Sequence, residues 1–310
     1  MAFDVITMGR VGVDLYPDQI GVPLAEVSRF NRYLGGTATN VAVAVARYGH
    51  RSAVITKVGV DGFGDYVRTA LRRFGVDDRL VGTHPALRTP IVFCEVHPPD
   101  HFPLLFYREP TAPDMTITPD ELDTEAIASA RIFWTTGTGL SAQPSRSATL
   151  AALEAATGTV IHDLDYRPML WPSPEEAGRW QREALARATI AVGNLEECSV
   201  AVGEGTAEEM AARMLDLGVE VAVVKRGPAG VAAFTADETV EVAPVPVEVV
   251  NGLGAGDAFG GALCHGLVEG WHWSEIIPFA NAAGAYVAAR LACADDMPDE
   301  SQVRELMADA

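Results

Sequence analysis

Short apolar runs alternating with stretches of helical period set the rhythm of this chain. Phe3 to Gly9, Ser52 to Val58, Arg131 to Thr136, Thr159 to Asp163, Thr189 to Asn194 and Val219 to Val224 read as strands, several of them wholly buried. Helices are predicted over Val41 to Gly49, from Asp61 through about Phe74, over Ser145 to Ala156, and from Leu195 onward. Two more follow Asp257, where Ala258, Phe259, Ala262, Leu263 and Leu267 share one face, and begin at Ala280. Strand then helix, repeated, predicts an α/β fold with a mostly parallel sheet. Two regions break the rhythm. One is the segment from about 12 to 34, with a strand at Phe30 to Leu34; the other pairs Thr89–His97 with Phe102–Arg108 across Pro98-Pro99-Asp100-His101 as a hairpin. Val231–Phe234 and Thr239–Val242 form a second predicted hairpin, and the chain has no repeat and no low-complexity linker.

The candidate chemistry centres on Val249-Val250-Asn251-Gly252-Leu253-Gly254-Ala255-Gly256-Asp257-Ala258-Phe259. Glycines at alternate positions allow a tight turn, and a helix opening from such a turn offers free N–H groups and a positive dipole end to an anion. Asp257 in the first helical turn can take a proton from a hydroxyl while that anion hole holds a phosphoryl group. An N-cap role for the aspartate fits the local pattern as well. No Lys-Ser/Thr follows the glycines, so this is no Walker loop, and Asp257 stands where a dinucleotide fingerprint needs its third glycine.

Other charged residues fall at the carboxyl ends of strands, where open α/β sheets place ligand contacts. Asp14 follows the first strand, and Asp165-Tyr166-Arg167-Pro168 follows the strand at 159–163. The latter reads as a ligand-facing loop or as an internal Asp–Arg ion pair. Asn194 and Glu197 have the spacing of a capping box. Lys225 could reach a phosphate or cap its strand end in solvent.

The 310 residues suffice for a large core, and 48% are hydrophobic, the balance of an ordinary globular protein. Lys and Arg number 23 against 42 Asp and Glu, a net charge of −19. That excludes a nucleic-acid-binding or anionic-membrane surface, and an anionic substrate would need locally placed cations. Cys94, Cys198, Cys264 and Cys293 are scattered and read as buried thiols in a reducing compartment. His162 and His265 read as structural, since no histidine has metal-ligand spacing. The first residues lack a basic, apolar leader pattern, so a cytoplasmic protein is expected.

Gly-Ala-Gly-Asp-Ala-Phe at 254–259 resembles the C-terminal signature of the PfkB/ribokinase family of sugar kinases. Gly35-Gly36-Thr37-Ala38-Thr39-Asn40 resembles its N-terminal signature. The resemblance covers nearly the whole chain. It implies one ribokinase-like domain over 1–310, a three-layer α/β/α sandwich, with segments 12–34 and 89–110 forming a small β-sheet lid. It implies ATP and Mg²⁺, Asp257 as base, and Gly254, Ala255 and Gly256 as the anion hole. Asp14, Gly35, Gly36 and Asn40 would hold sugar hydroxyls, Tyr107 and Arg108 a substrate carboxylate. Asn194, Lys225, Gly227, Gly230, Gly252 and Asn281 would serve the nucleotide, and Glu197 would position magnesium through water. Met8 to Pro17, Phe102 to Glu109 and the Asp165–Arg167 loop resemble the branch that phosphorylates 5-dehydro-2-deoxy-D-gluconate in inositol catabolism. A 2-dehydro-3-deoxygluconate kinase, or a non-catalytic sugar or nucleotide sensor on the same fold, is the competing expectation. Many members carry Asp-Thr where this chain has Asn251-Gly252, which bears on a monovalent-cation site. The resemblance also allows a homodimer through the lid.

Overall fold

The computed structural model describes residues 2–309. Its main sheet has nine strands in the order β13-β12-β11-β10-β9-β8-β1-β4-β5. These are β1 (Val5–Met8), β4 (Ser52–Gly59), β5 (Val81–His84), β8 (Ile132–Thr136), β9 (Thr159–Asp163), β10 (Ile190–Asn194), β11 (Val221–Lys225), β12 (Val231–Phe234) and β13 (Thr239–Val242). The run from β5 to β11 is parallel, and β12 and β13 close that edge antiparallel. A second sheet, ordered β3-β2-β6-β7, contains β2 (Gly12–Pro17), β3 (Phe30–Gly35), β6 (Ile91–Cys94) and β7 (Leu104–Tyr107). Its strands fall inside the two segments that break the βα rhythm. β2 pairs antiparallel with β3 and parallel with β6, and β6–β7 is the expected hairpin.

Ten α-helices are found among the described residues: α1 (Thr37–Arg47), α2 (Gly62–Arg73), α3 (Thr124–Ser129), α4 (Ser145–Ala155), α5 (Pro174–Leu185), α6 (Leu195–Val202), α7 (Ala207–Asp216), α8 (Ala255–Glu269), α9 (Trp273–Ala288) and α10 (Glu300–Asp309). α9 begins seven residues before the expected start at Ala280. Pro278 lies inside it, and the His272 side chain, accepting from Ser274 N, caps the helix ahead of that proline.

Strand alternation sorts the core into two layers around the sheet. Val5, Trp134, Val192 and Val223 face α1, α8 and α9, packing on Val41, Phe259 and Phe279. Their neighbours Ile6 and Phe133 face α3 and α4, and Ala191 and Val224 face α6 and α7. Burying such side chains contributes roughly 1.5–3 kcal/mol each, and the central strands carry apolar residues on both faces, which reads as a short continuous run. α8 lies so close to the sheet that a Cβ at Gly260 would sit 2.6 Å from the Trp134 ring. That contact fixes the height of α8, and hence of Asp257, above the strand ends.

Strand order reverses beside β1, whose neighbours are β4 on one side and β8 on the other. Ligand crevices in such sheets lie beyond the carboxyl ends of the strands at this switch point. All four cysteines are buried and free, and among the described residues no helix is long and apolar enough to cross a membrane.

Candidate active site

Beyond β1, Arg10 is buried, donates to Thr37 Oγ1 at 2.8 Å and reaches Asp165 Oδ2 at 3.4 Å. Asp14 points inward from β2. Its carboxylate fits because Gly35 has no side chain; a Cβ there would overlap it. Gly36, at φ 102°, turns the chain into α1, so Asn40 falls in the first turn of that helix. Asn40 Nδ2 donates to Asp257 Oδ2 at 2.7 Å, while its buried Oδ1 has no partner within the protein. Gly254, left-handed at φ 80°, caps α8 and sets Asp257 in that helix's first turn.

Arg10, Asp14, Gly36, Asn40, Arg167, Gly254 and Asp257 line one cavity, roofed by Leu104 and Phe106 of the small sheet. A second cavity of about 350 Å³ lies on the other side of the glycine loop. Lys225, Gly227, Gly230, Ala255, Gly256 and Asn281 line it, with apolar cover from Val245, Val247 and Val249. Residues 254–257 are therefore a shared wall: Gly254 and Asp257 face the first cavity, Ala255 and Gly256 the second.

Burial pushes the Asp257 carboxyl up to about 6, with Asp165 adding to the effect and the Asn40 hydrogen bond, Arg10 and Arg167 opposing it. Burial pushes Asp14 up to about 7, against Arg10 and helped by Asp257. Asp163, at the end of β9, is raised by burial and by the carboxylates of Glu197, Asp165 and Asp257, which outweigh Lys225. Burial would lower Lys225, but Asp163, Glu197 and Asp257 together hold it above its usual value. Asp165 goes the other way: burial raises it, and Arg167 and Arg10 more than reverse that.

The raised carboxyls make stability depend on pH. A carboxyl whose folded value lies above its unfolded one stabilises the fold at low pH and loses that contribution as pH rises through the folded value. For Asp14 the window runs from 3.8 to about 7. Asp14→Asn is therefore expected to raise Tm relative to the native chain more at pH 8 than at pH 5. Thermal melts at both values check this, and an equal difference at both would contradict the buried-carboxylate assignment.

The structure brings most of the sequence-predicted residues to one or other cavity, but not all. Arg108 is buried with its Nη2 donating to Asp114 Oδ1 at 2.7 Å, and it does not line the first cavity. Tyr107 is 59% exposed on the small sheet. Gly252 is exposed, a Cβ there would come within 3.0 Å of the Phe102 ring, and it lines neither cavity. Asn194 and Glu197 form a reciprocal capping box at 2.7 and 2.9 Å. Asp165 pairs with Arg167 at 3.0 Å and with Arg10, so the internal ion pair exists and Arg167 still reaches the cavity. Asp165 holds a left-handed φ of 28°, strain expected where a side chain is aimed for function. Arg10 and Asp163 also belong to this charged cluster, and no sequence motif marks them. Both sit at the carboxyl ends of strands, the same signal that picked out Asp14 and Asp165.

A buried carboxylate and a glycine turn at a helix N-terminus, set between a polar cavity and an apolar one, are an arrangement suited to phosphoryl transfer onto a hydroxyl. Residues 2–300 match the pfkB family carbohydrate kinase family, and the chain belongs to that family of ATP-dependent sugar kinases. It is 33% identical over 314 residues to a 5-dehydro-2-deoxygluconokinase of Clostridium perfringens, covering 98% of this chain and 93% of that one. A 5-dehydro-2-deoxygluconokinase of Photobacterium profundum is 34% identical over 305 residues, covering 95% and 92%. A solved E. coli structure assigned to a ribokinase II, in complex with ATP and Mg²⁺, superposes with a TM-score of 0.91 at 25% identity, covering 99% and 100%. The fold is thus ribokinase-like.

Proposed function

We propose that one kinase domain over 1–310 transfers the γ-phosphoryl group of ATP to the primary hydroxyl of 5-dehydro-2-deoxy-D-gluconate. The observation that carries this reading is the shared wall at 254–257, which sets a carboxylate toward one cavity and backbone N–H groups between the two. Asp257 takes the hydroxyl proton, and the amides of Gly254, Ala255 and Gly256 hold charge on the transferring group. Asp14 and the free Oδ1 of Asn40 take sugar hydroxyls. Arg10 and Arg167, each with a buried Nε lacking an acceptor, favour a substrate that carries a carboxylate. Lys225 and the turn at 227–230 suit phosphates, and the apolar cavity with Asn281 suits an adenine.

The donor set also fits Mg²⁺. Asp163 and Glu197 crowd beside Lys225 with carboxylates that repel one another, the hard oxygen ligands such an ion takes directly or through water. Bound with ATP, the ion would neutralise charge on the phosphate oxygens. Where relatives carry an aspartate of a monovalent-cation site, the Asn251 amide here donates to the Leu291 carbonyl at 2.7 Å and accepts from Leu253 N at 3.1 Å.

The test is ADP release with ATP, Mg²⁺ and a panel of sugars and sugar acids. The highest kcat/KM is expected for 5-dehydro-2-deoxy-D-gluconate. A higher value for 2-dehydro-3-deoxygluconate would replace the substrate, and no release with any member would leave the sensor reading.

A further inference from the structure

The far half of α8 carries a second group of metal-ligating side chains, away from both cavities. His50 lies between α1 and β4, and His265 and Glu269 are one turn apart on α8. His50 Nε2 is 2.7 Å from His265 Nδ1 and 3.9 Å from Glu269 Oε1. All three ligand atoms lie within 4.8 Å of one another. A tetrahedral ion with bonds of about 2.0–2.2 Å spaces its ligands by roughly 3.3 Å, so small side-chain rotations would bring the three into register.

The surroundings resemble a ligand shell more than a solvated surface. His265 stacks on Tyr48 with ring centroids 4.6 Å apart and meets the Trp271 edge at 4.8 Å, which fixes its plane. Its other nitrogen, Nε2, is buried without a hydrogen-bond partner and faces Glu300 Oε2 at 3.5 Å. Metal-bound histidines characteristically donate that second N–H to a carboxylate, which orients the ring and raises its basicity. Glu269 is exposed, giving an ion a route in and water a fourth position.

We propose that His50, His265 and Glu269 form a transition-metal site of the zinc type, which clamps the α1–β4 turn to α8. The sequence hides it: 215 residues separate the two histidines, so no local spacing announces the pair, and His265 reads as structural. The simpler alternative is an imidazole pair joined by one hydrogen bond.

Cobalt(II) is the probe, added to chelator-stripped protein without nucleotide. The native chain is expected to bind one equivalent with the visible bands of a tetrahedral, nitrogen-containing site, and zinc is expected to displace it and raise Tm. His50→Gln and Glu269→Gln should each weaken cobalt binding by at least roughly tenfold and abolish the zinc-dependent rise in Tm. Both positions lie outside the kinase site, so retained ADP release certifies that the variants are folded. Absence of the bands, or binding unchanged in both variants, would overturn the proposal; the second result would place the ion at the active-site carboxylates instead.

Discussion

Asp257→Asn is expected to lower kcat by about a hundredfold to ten-thousandfold, with KM for ATP nearly unchanged. The substitution keeps the size of the side chain and can keep the contact with Asn40, so the wall between the cavities should stand. What is lost is the proton acceptor. The position of the carboxyl explains why it suits the task. The N-terminus of α8 favours a negative charge there, and so do Asn40, Arg10 and Arg167, yet burial wins and holds the group at about 6. A base poised there is ionised at neutral pH and still strong enough to accept a proton as the hydroxyl attacks. The native enzyme should therefore lose kcat as pH falls through about 6, because the protonated carboxyl accepts nothing. The residual activity of the Asn variant should lack that limb. Steady-state ADP release from pH 5 to 8 measures both effects. Near-native turnover in the variant, or an unchanged acid limb, would remove Asp257 from the role of base.

Much of this architecture was readable beforehand for a simple reason. Strands such as β10 and β11 are buried on both faces, so their apolar runs, Ile190–Gly193 and Val221–Val224, carry no competing polar signal. The wall at 254–257 was readable because a glycine turn, a helix period and a carboxylate coincide within a few residues. Hidden features depend on partners distant in sequence. β2 escaped notice because Asp14 interrupts its apolar pattern, and only the facing Gly35 on β3 makes room for that carboxylate. Asn40 was expected to touch sugar, but its bond to Asp257 spans 217 residues and has no local trace. Arg108 looked like a free cation at a strand end; Asp114, six residues on across an irregular turn, takes its charge.

The Arg108–Asp114 pair bears on how the sugar acid proposed as substrate would be held. With a net charge of −19, the chain repels a sugar acid at long range, so local cations must do the binding. Arg10 and Arg167 both line the polar cavity, and each pairs with Asp165 while keeping a buried Nε without an acceptor. A charge-assisted hydrogen bond contributes about 1.5–3 kcal/mol, or roughly ten- to a hundredfold in affinity. Arg10→Met and Arg167→Met should each raise KM for the sugar acid by about that factor, and a neutral analogue should be much less affected. Arg167→Lys should recover little, since an ammonium cannot reproduce the two parallel bonds of a guanidinium fork. Folding should survive either change, because Asp165 keeps the other arginine as its partner. Arg108→Met should behave differently. It strands the buried Asp114 carboxylate, a loss of about 3–5 kcal/mol in pairs of this kind, and should lower Tm with little selective effect on the acid's KM. The measurement is kcat/KM for the sugar acid and its neutral analogue in each variant, alongside thermal melts. If Arg10→Met and Arg167→Met penalise both substrates equally, these arginines hold the loop and not a carboxylate. A selective loss in Arg108→Met would return the carboxylate contact to the small sheet.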